Sequence, residues 1–190
     1  MRKAMRFGTA FLFALLGATA AAQTRGEPEE FSAVAVANSN IASGVGTVLI
    51  SVDRWSTEAE RTALVGVLRD KGPEALLETL QDMRPVGRIR TPDSLGYDLH
   101  YAQQMPGADG GRRIVIATDR PIGFWEARNR PRSFDYPFTV IQLQLDAHGR
   151  GKGTMSVATK IRAYREVIEL EDFASAPVML AEVESRRRRD

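Results

Sequence analysis

With 190 residues and no cysteine, the chain has neither a disulfide framework nor a thiolate metal site available to it. Its formal charge of +2 is set by its ends. Without Arg2, Lys3 and Arg6 the basic residues fall from 26 to 23 against 24 acidic, and without Arg186 to Asp190 as well they are 19 against 23. A mildly acidic body excludes the electrostatic footprint of a nucleic-acid-binding domain, and a 43% hydrophobic composition leaves an apolar core as the source of stability.

Arg2, Lys3 and Arg6 form a positive n-region, Phe7 to Ala18 an apolar h-region, and Ala20-Ala21-Ala22 a small-residue cleavage site. The apolar run is about 12 residues, against the ~20 that span a bilayer. Residues 1–22 are therefore expected to be a cleaved signal peptide, leaving no transmembrane anchor and a periplasmic or secreted protein. No cysteine follows to carry a lipid. Residues 23–30 are polar, contain Gly26 and Pro28, and read as a flexible leader. Residues 31–185 read as a single antiparallel β-rich domain, and 186–190 as an Arg-rich, solvated tail.

Period-two alternation then dominates. Phe31 to Asn38 is the first such segment, broken by Asn38-Ser39-Asn40. Gly46 to Arg54 follows, with Val48, Ile50 and Val52 on one face and Thr47, Ser51 and Asp53 on the other; Leu49 is an apolar exception. Thr57-x-x-Glu60 is a capping box opening the one helical stretch, with Leu64, Val67 and Leu68 as its apolar stripe. Gly72 ends that helix and Pro73 opens a second, striped by Leu76, Leu77, Leu80 and Met83 and stopped by Pro85. The spacing predicts a helical hairpin over about 57–83.

Strands resume at about 86–91, 96–104, 112–118, 137–145, 152–162, 165–172 and 177–184. Tyr97, Leu99 and Tyr101 share a face opposite Asp98 and His100. The unbroken run Ile114-Val115-Ile116-Ala117 predicts a strand covered on both sides. Ile141, Leu143 and Leu145 alternate with Val140, Gln142 and Gln144, and Asp109-Gly110-Gly111 and Asp146-Ala147-His148-Gly149 have hairpin-turn composition. Short connections demand antiparallel pairing, because parallel strands need long crossovers. The fold class is mainly β (α+β): an antiparallel barrel or two-sheet sandwich of about eight to nine strands with an inserted helical hairpin.

The connection 119–136 is long for a compact domain, and such loops usually carry function or lack structure. Guanidinium forks bind carboxylate or phosphate, and aromatic faces stack on rings or sugars. Arg120, Trp125, Arg128, Arg130, Arg132 and Tyr136 are therefore the candidate ligand-binding residues. The competing reading has Phe124, Trp125, Phe134 and Tyr136 plugging a barrel end, with the arginines paired to Asp119, Glu126 and Asp135.

No catalytic or metal-ligating set is legible. His100 falls on the polar face of its strand and His148 in a turn, both as surface residues, and their spacing does not suit a metal. No serine occupies a G-x-S-x-G elbow. Gly44-Val45-Gly46 and the run Gly149 to Thr154 match neither phosphate-binding fingerprint and read as turn glycines. The 57–83 hairpin has the length of a helix–turn–helix, but export and the acidic body oppose DNA binding. No cofactor is implied. Arg186 to Arg189 could instead touch anionic lipid or envelope polymer.

The runs Asp53-Arg54-Trp55-Ser56-Thr57, Ala117 to Glu126 and Asp135-Tyr136-Pro137-Phe138-Thr139 resemble stretches in a group of exported bacterial proteins to which no function is assigned. The similarity covers most of the expected mature chain. It implies a bacterial exported protein and carries over no activity, cofactor or functional residue.

The leading expectation is an exported non-enzymatic β-domain that binds a small or extended ligand or an envelope partner. The alternatives are a barrel-based hydrolase or isomerase, with His100 as the candidate base, and a purely structural envelope protein. Expressed in a Gram-negative host, the protein should give a mass-spectrometric N-terminus at Gln23, or at Ala21 if the cut follows Ala20. Recovery of intact Met1 from the soluble cytoplasm would refute export.

Overall fold

The computed structural model describes residues 26–39, 43–122, 136–164, 167–173 and 176–187; the expected signal peptide lies outside them. In chain order the elements are β1 (Glu29–Asn38), β2 (Ser43–Val52), α1 (Glu58–Lys71), α2 (Pro73–Asp82), β3 (Gly87–Arg90), β4 (Tyr97–Leu99), β5 (Tyr101–Pro106), β6 (Arg112–Ala117), β7 (Phe138–Leu145), β8 (Arg150–Tyr164), β9 (Val167–Asp172) and β10 (Val178–Arg187). All strand pairs are antiparallel.

The strands form one sheet in the order β4-β3-β2-β1-β10-β8-β7-β6-β5, with β9 beside β8. The two ends of that order, β4 and β5, are separated on the chain by His100 alone. The sheet therefore comes round on itself as a nearly closed barrel, and the sandwich alternative falls away. Near-closure leaves the main sheet with little of the unpaired edge that an open sheet would present.

Alternation sends every second side chain inward. Phe31, Ala33, Ala35 and Ala37 of β1, Val48, Ile50 and Val52 of β2, Ile114 and Ile116 of β6, and Ile141, Leu143 and Leu145 of β7 meet Met155, Val157, Leu180 and Val183 in one cluster. The three alanines leave room for the branched residues opposite, and the described interior side chains form one buried apolar cluster. Positions where β1, β7 and β8 shift register against their neighbours, and Glu182 at φ 50°, mark irregularities in the ladder. Bulges of this kind add the local bend a small barrel needs.

A second apolar layer lies outside. Leu64 and Leu68 of α1 and Leu76 and Leu80 of α2 pack on Phe138, Val140 and Ile161, with Tyr101 and Val115 beside them. The capping box is formed: Glu60 N–H donates to Thr57 Oγ1 at 3.1 Å, and Thr57 N–H donates to Glu60 Oε2 at 2.7 Å. Pro73 opens α2, and Gly72 N–H closes α1 on the Leu68 carbonyl at 3.2 Å. Val115, between the inward Ile114 and Ile116, faces this layer, which explains the unbroken apolar run.

Three local expectations are corrected. The shared face of Tyr97, Leu99 and Tyr101 is interrupted at His100, where the chain changes partner from β3 to β6. Leu99 and Ala102 both point inward across that break, and Tyr101 turns outward under the helices. Of the presumed turn glycines, Gly44 and Gly46 lie within β2, and Gly151 and Gly153 lie within β8. A Cβ on either of the latter two would meet a β7 carbonyl oxygen at 1.9 or 2.4 Å, so glycine is required for the strands to approach. Finally, β1 begins inside the expected leader and β10 runs into the expected tail, because Glu29 and Arg187 pair across the ladder.

Truncating Leu68 or Leu80 to alanine should cost about 2–5 kcal/mol in a denaturant titration, the range for leucines buried in a packed layer. A loss below about 0.5 kcal/mol at both positions would mean that the hairpin does not pack on the barrel.

Candidate functional site

Residues of one parity on β1 and β6 point into the barrel, and at one end that parity delivers charges. Glu29 is in phase with Phe31, and Arg112 with Ile114. Glu29 is only 3% exposed, so its carboxylate needs a partner. Arg112 Nη1 donates to Glu29 Oε2 at 2.7 Å and to Gln104 Oε1 at 2.9 Å; Nη2 donates to Glu29 Oε1 and, at 3.3 Å, to Ser185 Oγ. The guanidinium carbon also lies 6.0 Å from the centre of the Phe31 ring. Four strands, β1, β5, β6 and β10, thus contribute to one polar plug across the mouth.

Above the plug opens a cleft of about 820 Å³. Gly26 and Glu27 line one side, and Gly110 of the β5–β6 turn and Asp146 to Gly149 of the β7–β8 turn line others, with Arg187 at the rim. The leader segment is clamped there: Trp55 Nε1–H donates to the Glu27 carbonyl at 3.1 Å. A Cβ at Gly26 would lie 2.4 Å from both Trp55 Nε1 and Gln104 Nε2, so only glycine passes between them. The β7–β8 turn is pinned by Asp146 Oδ1, which accepts from His148 N–H at 2.8 Å and Arg150 N–H at 3.0 Å. The Arg150 contact chiefly holds that carboxyl below the usual range, with His148 adding to it. His148 itself is exposed on the rim.

A second polar cluster sits where the sheet closes. His100, expected at the surface, is 6% exposed. The partner change at this residue swings its ring beneath the end of α2. Its Nδ1 lies 3.1 Å from the Met83 carbonyl, an acceptor only, so Nδ1 carries the proton; Nε2 lies 3.5 Å from Asp119 Oδ1. Arg120 Nε and Nη2 grip the two oxygens of Asp119, each at 3.0 Å. Burial opposes the charge on Asp119, but the hydrogen bonds and positive charge of Arg120 outweigh it and hold the carboxyl below the usual range. A histidine beside a carboxylate is half of a hydrolase triad. Here both ring nitrogens face protein acceptors, and the neighbouring Thr118 Oγ1 is committed to the Arg120 carbonyl at 2.5 Å. The arrangement fastens α2 to the barrel.

Of the loop residues singled out in the sequence, Arg120 is bound to Asp119, and Tyr136 donates its hydroxyl to Glu171 Oε1 at 2.8 Å with its ring 5.4 Å from that of Phe173. Trp125, Arg128, Arg130 and Arg132 lie outside the described residues. The loop's two anchors are at the Ala117 end of β6, whereas the cleft is at the Arg112 end. Among the described residues no group of three or more His, Cys, Asp or Glu side chains is placed to hold a metal. Sequence reading passed over Glu29, Arg112 and Ser185. The available signal was phase: opposite charges each two residues before the first inward apolar side chain of a strand.

Arg112→Met should destabilise the protein by about 3–5 kcal/mol in a denaturant titration, because it strands the Glu29 carboxylate without its cation. Glu29→Met combined with Arg112→Met should recover most of that loss. A single-variant cost below about 1 kcal/mol would show that Glu29 is hydrated rather than desolvated. The chain matches no family model, no curated protein and no solved structure, so its function must be read from this geometry.

Proposed function

We propose that this protein is an exported, non-enzymatic binding domain that takes a polar ligand in the cleft at the barrel mouth. The observation behind this reading is the division of the barrel into a filled interior and an open, polar end. Ile114, Ile141, Leu143 and Met155 leave no room inside for a ligand, while the mouth offers about 820 Å³, within the ~300–1,000 Å³ of small-molecule sites.

The lining sets the ligand's chemistry. Glu27 and Asp146 bring carboxylates, His148 and Arg187 bring nitrogen donors, and the Arg112–Glu29 plug is internally neutral. Such a surface favours an uncharged or zwitterionic molecule rich in hydroxyl or amide groups over a lipid or a strong anion. Arg120 and Tyr136 of the 119–136 connection each already hold a carboxylate of the chain itself, which is why the cleft is preferred to that loop. The signal-like residues 1–22 support the cell envelope as the place of action.

Trp55, clamped to Glu27 beside the cleft, is a built-in reporter. In a Trp125→Phe background its fluorescence should respond saturably to a neutral sugar or peptidoglycan fragment in a panel that also contains lipids and polyanions. Ala147→Phe, placed on an exposed turn that lines the cleft, should abolish the response and leave the melting temperature unchanged. A response to lipids alone, or one indifferent to Ala147→Phe, would remove the cleft as the site.

A further inference from the structure

β8 outlasts the barrel. Its pairing with β10 ends at Met155 and with β7 at Thr159. It runs on to Tyr164 with β9 as its partner, in a register from Thr159 opposite Asp172 to Tyr164 opposite Val167. Two-stranded ribbons are marginal in water unless something fastens them. Here the Asp172 carboxylate accepts from Ser156 Oγ at 2.8 Å and Thr159 Oγ1 at 2.6 Å, and Phe173 N–H donates to the Ala158 carbonyl at 2.9 Å. Ile161 is buried beneath the helical hairpin with Ala163 packed beside it. β9 is thus held in place, yet among the described residues its outer edge pairs with no strand.

Natural edge strands are blunted by proline, a bulge or charged side chains, lysine above all, and the only charges on β9 are carboxylates, which repel acidic strands but not basic ones. The run Val167-Ile168-Glu169-Leu170-Glu171-Asp172 has no proline and no lysine, and its register against β8 is unbroken. Ile168 and Leu170 remain 48% and 39% exposed on one face, and Glu169 and Glu171 occupy the other. Lys160 and Arg162 stand opposite those glutamates on β8, and Arg162 reaches Glu171 at 3.1 Å. Both cations are one strand further from the open edge, and the Tyr136 hydroxyl on Glu171 adds no charge. Among the described residues, the first charges an incoming strand would meet are carboxylates.

We propose that β9 is a docking edge for an extended peptide segment of a partner protein, added as a further strand whose side chains alternate basic and apolar. Backbone hydrogen bonds supply the affinity in this mode, and the alternating side chains supply the specificity. A second copy of this chain is a poor occupant: β9 against β9 sets carboxylates beside carboxylates, or beside Ile168 and Leu170, and like charges directly opposite destabilise a strand pair.

The probe is a fluorescently labelled peptide alternating lysine and valine, titrated with the purified protein and followed by anisotropy. Saturable binding is expected, with the amides of 167–172 gaining protection from hydrogen exchange. N-methylating alternate peptide amides, or introducing Glu169→Lys at this exposed position, should each weaken binding about tenfold or more. The proposal is overturned by an absence of binding, by equal affinity for the N-methylated peptide or for a glutamate–valine peptide, or by protection confined to other strands. Self-association of the protein that competes with the peptide would overturn it equally.

Discussion

An antiparallel sheet must dispose of its two edges, and this chain does so by letting one segment serve both. Residues 97–99 pair with β3 and residues 101–106 with β6, so the two ends of the sheet meet at His100 and the barrel is nearly closed. The change of partner costs a break in alternation, and the break buries an imidazole. The Met83 carbonyl then supplies the acceptor that the Nδ1–H of a buried imidazole requires, with Asp119 Oδ1 3.5 Å from Nε2. Closure of the barrel, the end of α2 and the start of the 119–136 connection meet at that one side chain.

Because the barrel is filled, polar groups that face inward can be satisfied only at its ends. One end carries Arg112 and Glu29 with Gln104 and Ser185. The other is closed by Ile122, whose N–H donates to Thr139 Oγ1 at 2.9 Å, while that hydroxyl bonds to the Val157 carbonyl at 2.9 Å. The two seals differ in consequence. The threonine seal lies under an apolar residue, whereas the charged plug lies under an open cleft.

The helical hairpin extends the core outward rather than decorating it. Tyr101, turned out by the break at His100, lies beneath the helices, and its hydroxyl donates to Gln103 Oε1 at 2.6 Å. Gln103 in turn donates to Glu58 Oε2 at 3.0 Å, tying the first turn of α1 to β5. Burial pushes the Tyr101 phenol up to about 12, which keeps it neutral and able to donate across the physiological range.

Periodicity carried much of this architecture in the sequence itself. The alternation of Val48, Ile50 and Val52 and of Ile141, Leu143 and Leu145, the Thr57–Glu60 capping box, and the Gly72-Pro73 junction depend on near neighbours, and each stands in the structure as the local chemistry dictates. The doubly covered strand at Ile114 to Ala117 was legible for the same reason. Barrel against sandwich was not, because it turns on whether β4 and β5 lie at opposite edges of one sheet, a relation no local pattern encodes. The burial of His100 was equally hidden, since alternation is a rule for an uninterrupted strand and His100 sits where the strand changes partners. Glu29 and Arg112 had the phase of core residues, but their distance in the chain concealed that the two charges meet. Local backbone preference therefore determined the elements, and the tertiary fold alone decided which polar side chains are desolvated together and where the barrel stays open.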